Sequence, residues 1–472
     1  MAESTVSGTN TLHYPTDYDL VKLDLITSMS GSTNGKINLM PFMVELNLYE
    51  DIYSSTISGE VVIGDSLGLF SSFLFNGTEF IDVELQKTND TSTNISRNYR
   101  VFKTSKRDTA KNNDSEVYVL SFCSEEFLLS EQYRLSKSYK GKLISDIITD
   151  ILQTYVKVGK GNTKKIYIEK TDGPYDFILP NKKIFETINW LSTYAQPSSG
   201  NPGGDMIFFE NNFGYWFQSL QSLYEQTTYG TYRYDPKNIN NDINKKVTNV
   251  MSFEVLNFFD TLAATTNGTF ANRLLTIDPL TRTFHQSDFN YDTYRGKSKN
   301  LDVAPLINNY QNRFGQTMYD PLPEVSGMEM GTFRLTTSNF EQKKNSYIAQ
   351  DPDTVANDIS IEQFLPNRVS QMAQANYIRI KLSVPGDPLL YVGKVVTFNV
   401  WKISPTSNQT GTNITRDVDP LYSGNYIVSA VRHILKRNEH ITIMELCKES
   451  VGTGYAAHND SNLSNYVKGN QK

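Results

Sequence analysis

The amino-acid sequence predicts a mixed, β-rich α+β chain of several domains. Three observations carry that class. The length of 472 residues exceeds what one hydrophobic core usually serves. Aromatic residues reach 12%, mostly Tyr and Phe, while charged residues stay at 20%. That composition suits pleated surfaces, where aromatic and β-branched side chains pack well. Apolar residues alternate with a period of two near both ends of the chain and recur at helical spacing between them.

Residues 1–34 read as an N-terminal arm rich in Ser, Thr and Gly, with one apolar patch, LVKLDLITSM, able to dock as a strand. Residues 35–125 read as a first β domain. Val44, Leu46 and Leu48 share one face, and GEVVIG, EFIDVELQK, NYRVFKTSKRD and EVYVLSFC follow as further strands. KTNDTSTN and TAKNNDS are expected to be turns, and SLGLFSSFLF a short amphipathic helix. Residues 126–228 read as an α+β domain. SYKGKLISDIITDILQTYV places Leu143, Ile144, Ile147, Ile148, Ile151, Leu152 and Tyr155 at helical spacing. NKKIFETINWLSTYA does so with Ile184, Phe185, Ile188, Leu191 and Ala195, and Asn181 is the expected N-cap. KKIYIEK and YDFILP are strand candidates, and MIFFENNFGYWFQSL reads as a hairpin.

Residues 229–262 and 370–450 are expected to form a second β domain, with residues 263–369 as an inserted peripheral lobe and 451–472 as a flexible tail. Residues 286–360 are polar and irregular, a length of weak pattern that marks a lobe or a partner-ordered loop. SIEQFLPNRVSQMAQANY turns helical after Pro366. YIRIKLSV, LLYVGKVVTFNVW, NYIVSAVRHILKR and HITIMELCKE then make four antiparallel strands. In the last hairpin Ile427 and Val431 alternate with Tyr426, Val428 and Ala430, and ITIMEL is apolar on both faces, as a strand buried between domains requires.

Composition and motifs exclude several kinds of chemistry. The net charge of −6 offers no basic surface for gripping nucleic acid, although a conduit that lets DNA pass needs none. Cys123 and Cys447 each lie inside an expected strand and read as buried thiols. No secretory signal and no apolar run of membrane-spanning length is present in the sequence. GxSxG, the P-loop, GxGxxG and HExxH are all missing. His433 and His440 flank the last turn and could face each other as a metal pair, or pack as strand-end histidines. Glu45, Glu50 and Asp51 could be offered as glycosidase carboxylates, but on a strand they are expected to mark its solvent face and its end. Tyr215, Trp216 and Phe217 could stack on sugar, or form core and interface. No catalytic, cofactor-binding or metal-ligating residue is assigned, and no individual interface residue.

Three stretches nevertheless resemble a known family. VELNLYEDIYSSTISGEVVIGDS pairs an early strand with a glycine-containing one across a charged break. YDFILP links the amphipathic helix to IFETINWLSTYA and the aromatic hairpin. GDPLLYVGKVVTF and SGNYIVSAVRHILKRNEHITIMEL close the chain. Together they resemble the central baseplate hub proteins of T-even-type contractile phages, from about Ile37 to Val451, with 286–360 and both ends longer than in that family. The last pattern also resembles hub parts of type VI secretion spikes. The resemblance implies a homotrimer without enzyme activity or cofactor. Its two β domains would resemble tail-tube subunits, so that three chains present six units in a ring. The implied partners are the tail tube protein, the central spike protein and the surrounding wedge proteins of the baseplate. DNA would pass without specific binding, through a lumen lined by polar and acidic residues. The implied location is the virion baseplate, assembled in host cytoplasm. A hub of a phage-derived injection or secretion device, and a glycan-binding tail protein, are the alternatives.

Overall fold

The computed structural model describes residues 18–27, 35–69, 75–88, 90–109, 115–158, 164–199, 203–234, 250–278, 282–291, 298–302, 304–305, 333–337, 361–401, 418–419 and 421–451. Its front part holds β1 (Tyr18–Ile26), β2 (Lys36–Asn38), β3 (Met43–Asp51), β4 (Ser58–Asp65), β5 (Phe80–Lys87), β6 (Asp90–Thr109) and β7 (Glu116–Ser124). An α+β unit follows, with β8 (Arg134–Leu135), β9 (Ser138–Lys142), β10 (Lys165–Ile168), β11 (Tyr175–Ile178), β12 (Lys182–Lys183), β13 (Met206–Asn211) and β14 (Gly214–Ser219). The remaining strands are β15 (Thr231–Tyr234), β16 (Ser252–Phe258), β17 (Ala271–Asp278), β18 (Thr283–Asn290), β19 (Ala304–Pro305), β20 (Phe333–Thr337), β21 (Ile378–Pro385), β22 (Val395–Val400), β23 (Gly424–Lys436), β24 (Glu439–Lys448) and β25 (Ser450–Val451).

Thirteen strands from the front and rear of the chain belong to one hydrogen-bonded sheet. The front sheet runs β3-β4-β7-β6-β5-β1-β2, every neighbour antiparallel. The rear sheet runs β16-β21-β24-β23-β22, again all antiparallel. Counted along the chain from β3 and from β16, both sheets place their strands in the order first, second, fifth, fourth, third. In each, a further strand from earlier in the chain lies on the third: β1 on β5, antiparallel, and β15 on β22, parallel.

Three large apolar clusters fill this frame, beside a small fourth of Ala264, Phe270, Phe289 and Tyr291. The front cluster takes Leu23, Leu46, Val61, Ile81, Tyr99, Tyr118, Phe122 and, from β23, Leu435. The rear cluster takes Ile380, Leu382, Val396, Phe398, Tyr426, Val428, Met444 and Leu446, along with Ile207, Phe209, Leu220 and Leu223 from the α+β unit. The third lies inside the α+β unit. There the helix Ile144–Ile151 buries Ile144, Ile147, Ile148 and Ile151 along one stripe. Each fully buried aliphatic or aromatic side chain contributes about 1.5–3 kcal/mol.

Several expectations are corrected. The helix Ile184–Ser192 is not capped by Asn181, which adopts φ +51°; the flanking residue is Lys183, and the Phe185 N–H instead donates to Ser130 Oγ (2.9 Å) on the helix Glu125–Gln132. SYKGK is strand β9, paired with β11, so the helix starts only at Ile144. NDTSTNIS is no loop: β6 begins at Asp90. The stretch 286–360 includes the end of β18 and all of β19 and β20. Within LLYVGKVVTFNVW only Val395–Val400 is strand. The helix expected in SLGLFSSFLF falls mostly on 70–74, and the TAKNNDS turn on 110–114, both outside the described residues, as do most of the N-terminal arm and the tail.

Candidate functional site

The front and rear sheets meet on one strand. The first part of β23 pairs with β22 through Gly424–Ile427, and the second part pairs with β3. In the latter ladder Ala430 faces Asp51, Val431 faces Glu50, Arg432 faces Tyr49, His433 faces Leu48, Ile434 faces Asn47 and Leu435 faces Leu46. The change of partner coincides with a bulge at Ser429, where the register against β24 shifts. A bulge bends a strand and raises its twist, which lets one strand serve two neighbours on the same edge. The Ile52 N–H donates to Ser429 O (2.9 Å) and starts the new ladder.

Side chains lock this junction. Arg432 donates from Nε to Asn47 Oδ1 (3.0 Å) and lies over the Tyr49 ring. Tyr18 on β1 donates to Lys436 O and sets its ring against His440 at 5.2 Å. Glu50, expected at the solvent face, is 2% exposed. It is inaccessible because β4 and β23 flank β3 and the 390–393 turn covers it; the Val392 N–H donates to its Oε2 (3.2 Å). Burial pushes its carboxyl up to about 8, against the lowering effect of that hydrogen bond. Glu45 is half-buried and Asp51 exposed.

The two histidines do come together. His433 Nδ1 lies 3.1 Å from His440 Nε2 and 3.2 Å from Thr442 Oγ1, and His433 Nε2 lies 3.2 Å from Leu390 O. Both are buried; burial lowers His433 to about 4, and burial with the neighbouring ring holds His440 well below the usual range. A neutral, hydrogen-bonded pair results. Gly386 packs so closely on it that a Cβ there would meet His440 Cγ at 2.0 Å. Among the described residues no group of three or more His, Cys, Asp or Glu is placed to hold a metal ion. Tyr215 and Phe217 are buried and Trp216 stacks on Tyr167 at 4.1 Å, so the aromatic hairpin packs inward. Cys123 and Cys447 are buried free thiols, both pushed up to about 11 by burial. Two cavities among the described residues measure about 20 Å³, beside Asp205 and Glu449, and about 10 Å³, beside His433.

The α+β unit holds a buried charge cluster, one member of which also reaches the front sheet. Lys164 Nζ reaches Glu126 Oε2 and Glu210 Oε1, each at 2.6 Å, and all three residues are buried. Burial works against the Lys164 ammonium, but Glu210 and Glu126 outweigh it and hold its pKa above the usual lysine range. Glu210 Oε2 also accepts the Ile57 N–H (3.0 Å), and Arg97 donates to Asn212 O. To the rear sheet the same unit attaches by apolar packing: Phe209 lies against Gly393, whose φ of +85° and 3.0 Å clearance leave no room for a side chain.

Sequence reasoning missed the junction because its ladder joins residues some 380 positions apart; the apolar residues on both faces of β23, from Tyr426 to Val431, were the available signal. Two strand edges stay open. Beyond Arg100 no described strand lies on the outer side of β6, and none lies on the outer side of β16.

No family profile and no curated protein matches this chain. Among solved structures it is similar to a tail protein from Neisseria meningitidis, at 9% identity and TM-score 0.49, covering 92% of this chain and 97% of that one. It is also similar to a 43 kDa tail protein of prophage MuSo2 from Shewanella oneidensis, at 7% identity and TM-score 0.49, covering 91% and 99%. A third is an E. coli component of the type VI secretion system, described as structurally similar to T4 phage tail proteins, at 9% identity and TM-score 0.38, covering 87% and 74%. At these identities no residue's role transfers to this chain.

Proposed function

We propose that this chain is a structural hub of a contractile tail: a homotrimer that matches a sixfold tube on one side to a threefold spike on the other. The observation that supports it is the duplicated strand order, first-second-fifth-fourth-third, in two sheets joined edge to edge by β23 and β3. Two modules of one topology within a chain give three chains six near-equivalent modules, and each symmetry element needs the same patch repeated around an axis. The α+β unit and the lobe built on β17 and β18 would then face outward, toward wedge proteins of the baseplate. DNA would pass through the ring without being held, as a net charge of −6 favours. No catalytic step or cofactor is assigned. The same geometry would serve a phage-derived injection or secretion device, and the neighbouring genes separate the two.

Electron microscopy of the purified full-length protein, alone and with its tube and spike proteins, tests the reading. The expected image is a threefold ring with six lobes. A protein that stays monomeric with both partners present refutes it.

A further inference from the structure

We propose that β16 of one copy adds, antiparallel, to the open edge of β6 of the next copy, in the register that β3 takes on β23. This rests on the trimeric reading and carries it to named residue pairs.

The fourth strands of the two sheets match residue by residue. Arg100 is where the pairing of β6 with β5 ends, and Ile427 is where that of β23 with β22 ends. Two positions on, each strand carries a bulge, at Phe102 and at Ser429. The opposing fifth strands agree: Arg100 faces Cys123, and Ile427 faces Cys447. One step earlier stand Tyr99 and Tyr426, both fully buried. Past the bulge, β23 turns its edge to β3 through Ala430, Val431 and Arg432, whereas the matching Lys103, Thr104 and Ser105 of β6 have no described strand beside them.

The first strands match through their neighbours. Cys123 faces Ser58, which faces Tyr49; Cys447 faces Arg379, which faces Asn257. Tyr49, Glu50 and Asp51 therefore correspond to Asn257, Phe258 and Phe259. Carried onto the open edges, the register sets Lys103 against Phe259, Thr104 against Phe258 and Ser105 against Asn257. Just beyond, β6 shifts register between Ser105 and Asp108, and β16 between Val255 and Asn257; in this alignment the two irregularities meet.

Surface chemistry agrees. Phe102 at 49% and Phe259 at 54% are exposed, as are Met251, Val255 and Leu256. The exposed apolar side chains along β16, with Phe102 on β6, are what a second copy would cover. The two edges differ, so the contact is head-to-tail and closes as a ring rather than as a symmetric pair.

Full-length chains carrying Ser105→Cys and Asn257→Cys, treated with a short bis-maleimide, test the register. Covalent trimers are expected at least tenfold faster than from Ser105→Cys with Ser252→Cys. Thr104→Pro is the second variant. Ile52 donates to Ser429 O, so strand alternation points the Val431 N–H at β3 and the equivalent Thr104 N–H outward. Losing that donor should abolish the trimer and leave the circular dichroism and melting of the monomer unchanged. A trimer that forms in Thr104→Pro and shows no preference for the 105–257 pair overturns this junction while leaving the hub reading intact. A wild-type chain that never trimerises, even with tube and spike present, overturns both.

Discussion

The front and rear sheets share one strand order but differ at the edge of the fourth strand. On β23 that edge is filled by β3 from the same chain; on β6 it is open. The filled edge is the pattern on which the proposed pairing of the open one is drawn. Around the junction stand buried Glu50 on β3 and, on the rear sheet, a neutral histidine pair and Arg432 spread over Tyr49. Beside the open edge of β6 stands exposed Phe102, and at the other open edge, on β16 and just past it, exposed Leu256 and Phe259. The two sheets also differ in how they hold the α+β unit, the front by hydrogen bonds from Ile57 to Glu210 and from Arg97 to Asn212, and the rear by Phe209 and its apolar neighbours.

The largest expected effect breaks the buried charge cluster whose Glu210 also meets the front sheet. Lys164→Met leaves Glu126 and Glu210 buried without a cation and should cost about 3–5 kcal/mol, read by chemical denaturation. An equal cost from Glu126→Gln, which keeps the ammonium and one carboxylate, would contradict the charge assignment. Next comes the filled edge against the open one. Val431→Pro removes a ladder donor in the sheet interior and should cost about 3 kcal/mol or more. Thr104→Pro, at the matching position, should leave monomer stability within about 0.5 kcal/mol. Equal melting losses would dissolve the distinction between the two edges.

Glu50→Gln should stabilise, and only at the filled junction, because Phe258 stands at the matching place. The Glu50 carboxyl is raised by burial to about 8. Its folded form thus holds a proton that the unfolded chain gives up above its ordinary value near 4.5. Stability from this group is present in full below pH 4.5 and is lost as pH rises through 8. The glutamine variant should gain about 1–3 kcal/mol at pH 8 and little at pH 4.5; thermal melts at both values give the answer. The smallest effect compares the two matched tyrosines. Tyr426 donates to Tyr422 O (2.6 Å), so Tyr426→Phe should cost about 1 kcal/mol.

Much of this molecule was legible in its sequence. Alternation located the strands at both ends, helical spacing located Ile144–Ile151 and Ile184–Ser192, and Pro366 marked the first turn of the helix Leu365–Gln374. Burial of Glu50 was not legible, because alternation describes one strand and not what later segments lay over it. The Asn181 cap failed for a similar reason: Ser130, distant in sequence, already accepts from the first turn. The duplication of strand order was visible only as β character at both ends. Matched positions keep burial more than identity, as Phe122 with Leu446 shows, although Tyr99 with Tyr426, Val101 with Val428 and Cys123 with Cys447 coincide in type. The strands β17 to β20, which come between β16 and β21 in the chain and lie outside the large sheet, hide the correspondence further.

The ladder between β3 and β23 also bears on assembly thermodynamics. Six separate modules closing a ring must each surrender free tumbling and diffusion, an expense of several kcal/mol for every body captured. In the proposed ring half of the contacts would already be made by folding, so three bodies would be captured in place of six, and each would arrive carrying a finished example of the seam it has yet to form.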